Sequence, residues 1–191
     1  HAGGKFDDSA YKTSGGLHGV GSSVVNALST YMDVKISRDG AVHHDRYERG
    51  IPVVELEDGL LPVIGKTKKT GTCVNFLPDP TIFEKTRFKE EEIKSRLHET
   101  AYLNPELTII FTDKRKTQEE RIEYHEPDGI IGFIKDLNSK KEVIHDPVYY
   151  KGEAEGIEVE VAFQYVNEFH ENVLGFCNNI YNAEGGTHLT G

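Results

Sequence analysis

The chain has 191 residues, of which 37% are hydrophobic and 28% charged, and its formal net charge is −10 at pH 7. This balance is typical of a soluble globular protein with one large domain or two small ones, and it argues against a disordered chain. The apolar runs are far shorter than the ~20 residues of a membrane helix, and the negative charge excludes a polyanion-binding surface over the whole chain.

The two ends of the sequence suggest a fragment of a longer protein. The chain has no initiator methionine and no signal peptide, and it stops within a glycine-rich stretch at residues 185–191. Cys73 and Cys177 are far apart and have no CxxC spacing, which favours two buried free thiols in a reducing cytoplasm. We therefore expect a cytoplasmic location.

The first half of the chain predicts a loop, a helix and several strands. Residues 1–16 lack apolar periodicity and predict a mobile loop, and a helix over residues 20–28 is expected directly after it. Alternating residues around Val34 predict a strand, Asp39-Gly40 a hairpin turn, and Val74 and Phe76 another strand. Residues 50–70 predict short connecting strands and a loop.

The second half predicts two helices and two strands. A helical repeat over residues 93–104 ends before Pro105, and a strand follows over residues 107–111. Asp128 can cap a second helix whose apolar face contains Ile130, Phe133, Ile134 and Leu137. Alternation over residues 157–165 predicts a long strand. The order of elements indicates two α/β units joined near residue 126.

A glycine cluster carries the chemical signal of this sequence. Gly16, Gly19 and Gly21 form the pattern G-x-x-G-x-G directly before the first predicted helix. Glycines let backbone N–H groups approach an anion closely, and a helix start adds unpaired N–H donors, so the pattern suits phosphate. It matches neither a P-loop nor the Rossmann order. The spacing alone is equally consistent with a flexible surface turn.

Longer motifs around this cluster resemble the ATP lid of the DNA gyrase B family, within the superfamily of Hsp90-type chaperones, histidine kinases and mismatch-repair ATPases. The matching stretches are residues 1–8, 11–21 and 23–29, the Gly-Thr motif at residues 69–72, and a transducer motif at residues 184–188. The resemblance implies a mixed α/β (α+β) fold. Residues 1–126 would be the C-terminal part of a GHKL (Bergerat) ATP-binding domain, and residues 127–191 the start of a ribosomal S5 domain 2-like transducer.

The resemblance implies the ATP-binding subunit of a type II topoisomerase, whose partners are the gyrase A subunit, DNA and a second B subunit in an A2B2 heterotetramer. ATP binding would clamp two B subunits around DNA, and hydrolysis would reset the clamp. Lys5 would contact the terminal phosphate, Tyr11 the nucleoside, and Thr72 the adenine, while Arg38 matches the arginine that coumarin inhibitors contact. The residues that would wrap the triphosphate are Gly16, Leu17, His18, Gly19, Val20 and Gly21.

The same resemblance places key groups outside this chain. The general-base glutamate, the Mg²⁺-binding asparagine and the adenine-binding aspartate would all precede residue 1, so no catalytic residue is assigned and the chain by itself is expected to be inactive. Glu90, Glu91 and Glu92 are predicted to be helix-surface charges. His18 is also consistent with a structural histidine, and Lys5 with a solvated loop lysine.

Three other functions compete with gyrase B. The B subunit of a topoisomerase IV would share the mechanism but mainly decatenate DNA, and the lid motif does not separate the two. A non-catalytic ATP-binding or chaperone-like module is disfavoured by the continuous match over residues 14–29. A generic α/β domain would require the motifs at both ends to be coincidences.

Overall fold

The computed structural model describes residues 19–115 and 117–190. The chain divides into two compact units, the first ending at Arg87 and the second beginning at Phe88. Each unit mixes helices with antiparallel sheets, which confirms the mixed α/β class. The predicted domain boundary at residue 126 lies inside the second unit and stays a prediction. No helix in the described part of the chain is long and apolar enough to cross a membrane.

The first unit is a five-stranded antiparallel sheet preceded by one short helix. The strand order is β3-β2-β1-β5, and β4 also pairs with β2. The elements are α1 (Gly21–Ala27), β1 (Ser29–Arg38), β2 (Ala41–Glu48), β3 (Ile51–Pro52), β4 (Val63–Lys66) and β5 (Gly71–Pro78). The predicted helix, both predicted strands and the short strands expected over residues 50–70 are therefore present.

Two-residue turns set the register of this sheet. Asp39 and Gly40 both have positive φ, at 51° and 83°, as the type I′ turn of a tight hairpin requires, so the predicted turn is confirmed. Arg49 and Gly50 form a second turn of this kind, with φ of 48° and 80°. Arginine is an uncommon residue at positive φ, so the sequence did not indicate this turn.

A buried carboxylate holds the Arg49 turn in place. Asp79 is 1% exposed, and Arg49 Nε donates to its Oδ2 at 2.6 Å. The backbone N–H and hydroxyl of Thr81 donate to Oδ1 at 2.9 and 2.7 Å. The hydrogen bonds from Arg49 and then from Thr81 lower the pKa of Asp79 to about 2, although burial acts in the opposite direction.

We expect Asp79→Asn to lower the thermal unfolding midpoint by several degrees at pH 7. Because the pKa of Asp79 is depressed in the folded state, its stabilising contribution is complete above about pH 4 and disappears as pH falls towards 2. Circular dichroism melts at pH 7 and through this acid range should show a shallower acid-induced loss for the variant. Asp58→Asn at an exposed position is the control, and equal shifts for both variants would contradict this role.

Alternation along the strands separates two faces of the sheet. Met32, Val34 and Ile36 of β1 lie opposite Phe76, Val74 and Thr72 of β5. On this face Met32 is buried, whereas Val74 and Phe76 remain 49% and 41% exposed. The result is an apolar surface that is open towards the β5 edge.

The predicted burial of the two cysteines is wrong. Cys73 on β5 and Cys177 are free and exposed. Burial is only a statistical preference of cysteine, whereas the environment of Cys73 follows from its strand. In the described part of the chain β5 pairs on one side only, and its residues 71–77 are all exposed.

The second unit combines two main helices with three two-stranded ribbons, β6-β7, β8-β9 and β10-β11. Its elements are α2 (Glu90–Leu103), β6 (Ile109–Asp113), β7 (Glu120–Tyr124), α3 (Gly129–Leu137), β8 (Val148–Ala154), β9 (Ile157–Phe163), β10 (Phe176–Cys177), β11 (Ile180–Tyr181) and α4 (Thr187–Thr190). Both predicted helices and both predicted strands are present, although Leu107 and Tyr165 lie outside their strands. The sequence patterns did not predict β7, β8, β10, β11 or α4.

Two expectations about side chains in this unit are corrected. Asp128 occupies the position before α3, but its side chain makes no capping hydrogen bond because its backbone is already helical, with φ −75° and ψ −7°. Glu90 is only 18% exposed and pairs with Lys94 at 2.5 Å, and Lys94 also pairs with Glu120 at 2.6 Å. Glu91, whose side chain is 87% exposed, is a surface charge as predicted.

Candidate functional site

Five of the nine predicted nucleotide-binding residues lie outside the described residues. They are Lys5, Tyr11, Gly16, Leu17 and His18. The four that the structure describes are Gly19, Val20, Gly21 and Thr72. The first three form the end of the glycine motif, and Thr72 lies on β5.

The end of the glycine motif leads directly into α1. Gly19 has φ of +63°, a conformation that favours glycine. Val20 is the N-cap residue, and its carbonyl accepts the first helical bond from Val24 N at 2.9 Å. Among the described residues no side chain caps α1, and the first turn of the helix has no acidic residue. The first N–H groups of the helix therefore have no intrahelical partner and no competing negative charge nearby on the helix.

The backbone conformation favours glycine at position 19 but not at position 21. Gly21 is the first residue of α1, its φ is not positive, and a Cβ added to it would meet nothing within 4 Å. Neither backbone strain nor crowding within the described residues requires glycine at this position. A requirement for glycine there would come from a ligand that approaches the helix start.

Thr72 and Arg38 lie at the same end of the sheet and on the same face. Thr72 is exposed and pairs with Ile36 of β1. Arg38 is two residues beyond Ile36, so the alternation of a strand returns its side chain to that face. The Arg38 side chain is 77% exposed, and its Nε lies 3.4 Å from Asp39 Oδ2.

The structure connects Thr72 to the glycine motif through β1. The helix α1 contacts β1 and leads into its first residue, Ser29. Ile36, the partner of Thr72, lies seven residues further along β1, a distance of about 23 Å at the usual strand rise. Thr72 therefore lies beside one end of β1, and the glycine motif precedes the other end. The distance between Thr72 and the glycine motif depends on the direction in which α1 runs from Ser29.

A polar cluster on the other face of the sheet was not predicted. His44 Nε2 lies 2.8 Å from Asp33 Oδ2, and an Arg46 nitrogen lies 3.6 Å from the same oxygen. The hydrogen bond from His44 is the main cause that lowers the pKa of Asp33, and burial opposes it. The polar residues at alternate positions of β1 and β2 could have indicated this cluster from the sequence. Because the side chains of His44 and Arg46 both pair with Asp33 across neighbouring strands, we assign the cluster a structural role.

The described residues contain no cluster of three or more histidine, cysteine, aspartate or glutamate side chains that could hold a metal ion. Mg²⁺ is bound by oxygen ligands, usually carboxylates. The part of the chain that the structure describes therefore does not fit a magnesium site, and no reaction step is derived through one.

Known proteins resemble this chain along its whole length. A DNA gyrase B family model matches residues 129–191. The chain is 50% identical to the DNA gyrase B protein of Streptococcus pneumoniae over 193 aligned positions, which cover all of this chain and 29% of that protein. With the same coverage, it is 50% identical to the B subunit of DNA topoisomerase 4 from the same species and 48% identical to the DNA gyrase B protein of Enterococcus faecalis. The chain thus spans less than a third of the length of these relatives.

Solved structures agree with the sequence relatives. The 43K ATPase domain of Thermus thermophilus gyrase B, solved in complex with an aminocoumarin, matches with a TM-score of 0.77 and 36% identity. The match covers 90% of this chain and 46% of that one. The B subunit of Myxococcus xanthus DNA gyrase matches with a TM-score of 0.76 and 27% identity over 87% of this chain and 48% of that one.

The chain has a GHKL-class fold, as found in the B subunits of type II topoisomerases. This follows from the antiparallel sheet, the glycine motif before it and the structural matches. Within that class, the family model and the gyrase B relatives agree with each other. The chain is therefore similar to DNA gyrase B proteins in sequence and in fold, which confirms the resemblance seen in its lid and transducer motifs.

Proposed function

We propose that this chain is part of the ATP-binding subunit of a DNA gyrase, which couples ATP binding and hydrolysis to DNA strand passage and negative supercoiling. The observation that carries the proposal is the 50% identity to gyrase B over the entire chain. The structural match to a gyrase B ATPase domain supports it. A cytoplasmic location forms part of the same proposal.

In this proposal, the stretch before α1 binds the triphosphate. Gly19 supplies a backbone turn at positive φ, and the open amides at the start of α1 supply donors to phosphate oxygens. Thr72, which is exposed on β5, binds the adenine of the nucleotide. The remaining proposed contacts are Lys5, Tyr11, Gly16, Leu17, His18, Val20 and Gly21.

The proposed partners are the gyrase A subunit, DNA and a second copy of the ATP-binding subunit, which joins when ATP binds. We place the start of the transducer at residue 127. The gyrase B family model begins nearby, at residue 129, and this supports the assignment. A bound Mg²⁺ would be held by groups outside the described residues and would neutralise charge on the phosphates.

Reconstitution separates gyrase from topoisomerase IV. We expect the full-length protein, mixed with a gyrase A subunit, to introduce negative supercoils into relaxed plasmid DNA in the presence of ATP. Mixed with the A-type subunit of topoisomerase IV, it should not decatenate linked circles efficiently. Efficient decatenation without supercoiling would favour the topoisomerase IV alternative, to which the chain is also 50% identical.

We expect Arg38→Ser to weaken aminocoumarin binding by about 10-fold or more, because hydrogen bonds to charged groups contribute ~1.5–3 kcal/mol. Affinity for a non-hydrolysable ATP analogue should change much less, since Arg38 is remote from α1, where the triphosphate is proposed to bind, and is not among the proposed nucleotide contacts. Isothermal titration with both ligands measures the two effects.

Lys35→Ser is the matched control for Arg38→Ser. Lys35 is exposed on the same strand, but the alternation of β1 places it on the opposite face. The control should affect neither ligand. Equal losses of drug and nucleotide affinity in Arg38→Ser would show that Arg38 belongs to the nucleotide site instead.

A further inference from the structure

Four basic residues gather at one end of the first unit's sheet. Arg38 ends β1, Lys66 ends β4, and Lys68 and Lys69 lie in the loop between β4 and β5. We call these four residues the basic tip. Residues 37–41 and 63–72, which form this end of the sheet, contain one acidic residue, Asp39. The local charge is therefore positive, in a chain whose net charge is −10.

The strand register brings these residues together. Lys66 pairs with Ala41 of β2, whose other partner is Arg38, and Gly71 pairs with Ser37 on the far side of β1. The loop over residues 67–70 therefore crosses the end of the β1-β2 hairpin. Hydrogen-bonded strands lie ~4.8 Å apart, so the three strand spacings from β4 to β5 make the loop span about 14 Å.

Hydrogen bonds order this loop. Thr67 N donates to the Gly40 carbonyl at 3.0 Å, which ties the loop to the hairpin turn. Lys69 N donates to Thr67 Oγ1, also at 3.0 Å. The three lysines are exposed, and within the described residues none of them forms an ion pair. The hydrogen bonds fix the backbone of this loop, and its exposed lysine side chains are available to a partner.

The layout of the charges identifies the kind of partner. The lysines are exposed, and no buried polar side chain of the described residues lies among them, so they do not enclose a small anion. Lys68 and Lys69 are adjacent in sequence and Lys66 is two residues before Lys68, so their backbones lie within about the Debye length of ~8 Å at physiological salt and their fields add. An extended polyanion with closely spaced phosphates matches exposed lysines distributed along this loop.

We infer that the basic tip, formed by Arg38, Lys66, Lys68 and Lys69, is a contact surface for the phosphate backbone of duplex DNA. The inference rests on the proposed function, which brings duplex DNA to this protein. The contact is electrostatic and independent of sequence, because exposed lysines donate to phosphates without reading bases. It holds DNA beside the sheet end that also carries Thr72.

The test uses the full-length protein and a short fluorescent duplex, with binding followed by anisotropy over a series of salt concentrations. The variant is Lys66→Gln/Lys68→Gln/Lys69→Gln, which removes three charges and leaves Arg38 intact. Each lost phosphate contact should lower the slope of log affinity against log salt by ~0.9, or about 2.7 in total. Between about 50 and 200 mM salt, parental affinity should then fall about 40-fold more than that of the variant.

A second triple variant, Lys114→Gln/Lys135→Gln/Lys140→Gln, removes the same charge from exposed lysines of the second unit. It should retain the parental slope. An unchanged slope in the basic-tip variant would overturn the inference, as would an equal loss in the control, which would mean that binding follows net charge. Loss of gyrase A binding without loss of DNA binding would identify an acidic protein surface as the partner and would also overturn it.

Nucleotide binding distinguishes this inference from the proposed function. Titration of the parental protein with an ATP analogue tests the proposed function independently of the lysines. If the parent binds the analogue and the basic-tip variant keeps the parental DNA slope, the DNA contact fails and the proposed function stands. If the parent binds no analogue, the proposed function fails, whatever the salt dependence.

Discussion

Replacing Gly21 by valine should reduce the affinity of the full-length protein for a non-hydrolysable ATP analogue by about 100-fold or more, equivalent to ~2.7 kcal/mol. The described residues leave room for the new side chain, because a Cβ on Gly21 meets none of their atoms within 4 Å and the residue is already helical. In the proposed function, the valine would occupy the space through which phosphate reaches the amides at the start of α1. Stability should therefore be nearly unchanged, since valine has a better helix propensity than glycine.

Isothermal titration measures the loss of affinity, and a thermal melt verifies that the fold is intact. Gly65→Val is the matched control, because Gly65 lies on β4, its added Cβ would first meet Val42 at 4.0 Å, and its φ is not positive. The control should bind the analogue as the parent does. An affinity within about threefold of the parental value in Gly21→Val, less than about 1 kcal/mol, would show that the glycine motif does not bind the phosphates.

Replacing Tyr102 by alanine should destabilise the second unit by ~3–5 kcal/mol, the usual cost of removing a large aromatic side chain from a core. Tyr102 is 6% exposed, and its ring stacks on Phe133 of α3 with centroids 5.1 Å apart. A Cβ on Gly132 would lie 3.1 Å from the same ring, so α2 and α3 are close at this point. Alanine would leave a cavity between the two helices.

Urea denaturation followed by circular dichroism measures this loss. Tyr102→Phe should be nearly neutral, because no hydrogen bond to the Tyr102 hydroxyl is present among the described residues. Burial raises the pKa of this hydroxyl to about 12, so it stays protonated and no charge is lost. Tyr150→Ala, at a 66% exposed position, should cost less than about 1 kcal/mol. Equal losses at positions 102 and 150 would contradict the packing role.

Local patterns in the sequence determined α1, α2, α3 and the turn of one hairpin. The apolar spacing within α1, α2 and α3 and the Asp39-Gly40 turn follow from contacts between residues close in sequence, so the chain encodes them directly. The glycine motif and its flanking residues also indicated the family. The strand β7 was missed because its sequence, Glu-Arg-Ile-Glu-Tyr, is mostly charged and has little apolar alternation.

Only the tertiary structure decided which distant residues meet. Arg49 and Asp79 are 30 positions apart, and their ion pair depends on a turn with arginine at positive φ, which sequence preferences disfavour. The exposure of Cys73 depends on how β5 pairs. The same pairing puts Arg38 and Thr72 on one face and draws the lysine loop across the hairpin end. Strand register is a property of the whole sheet, and a shift of one residue would reverse every face.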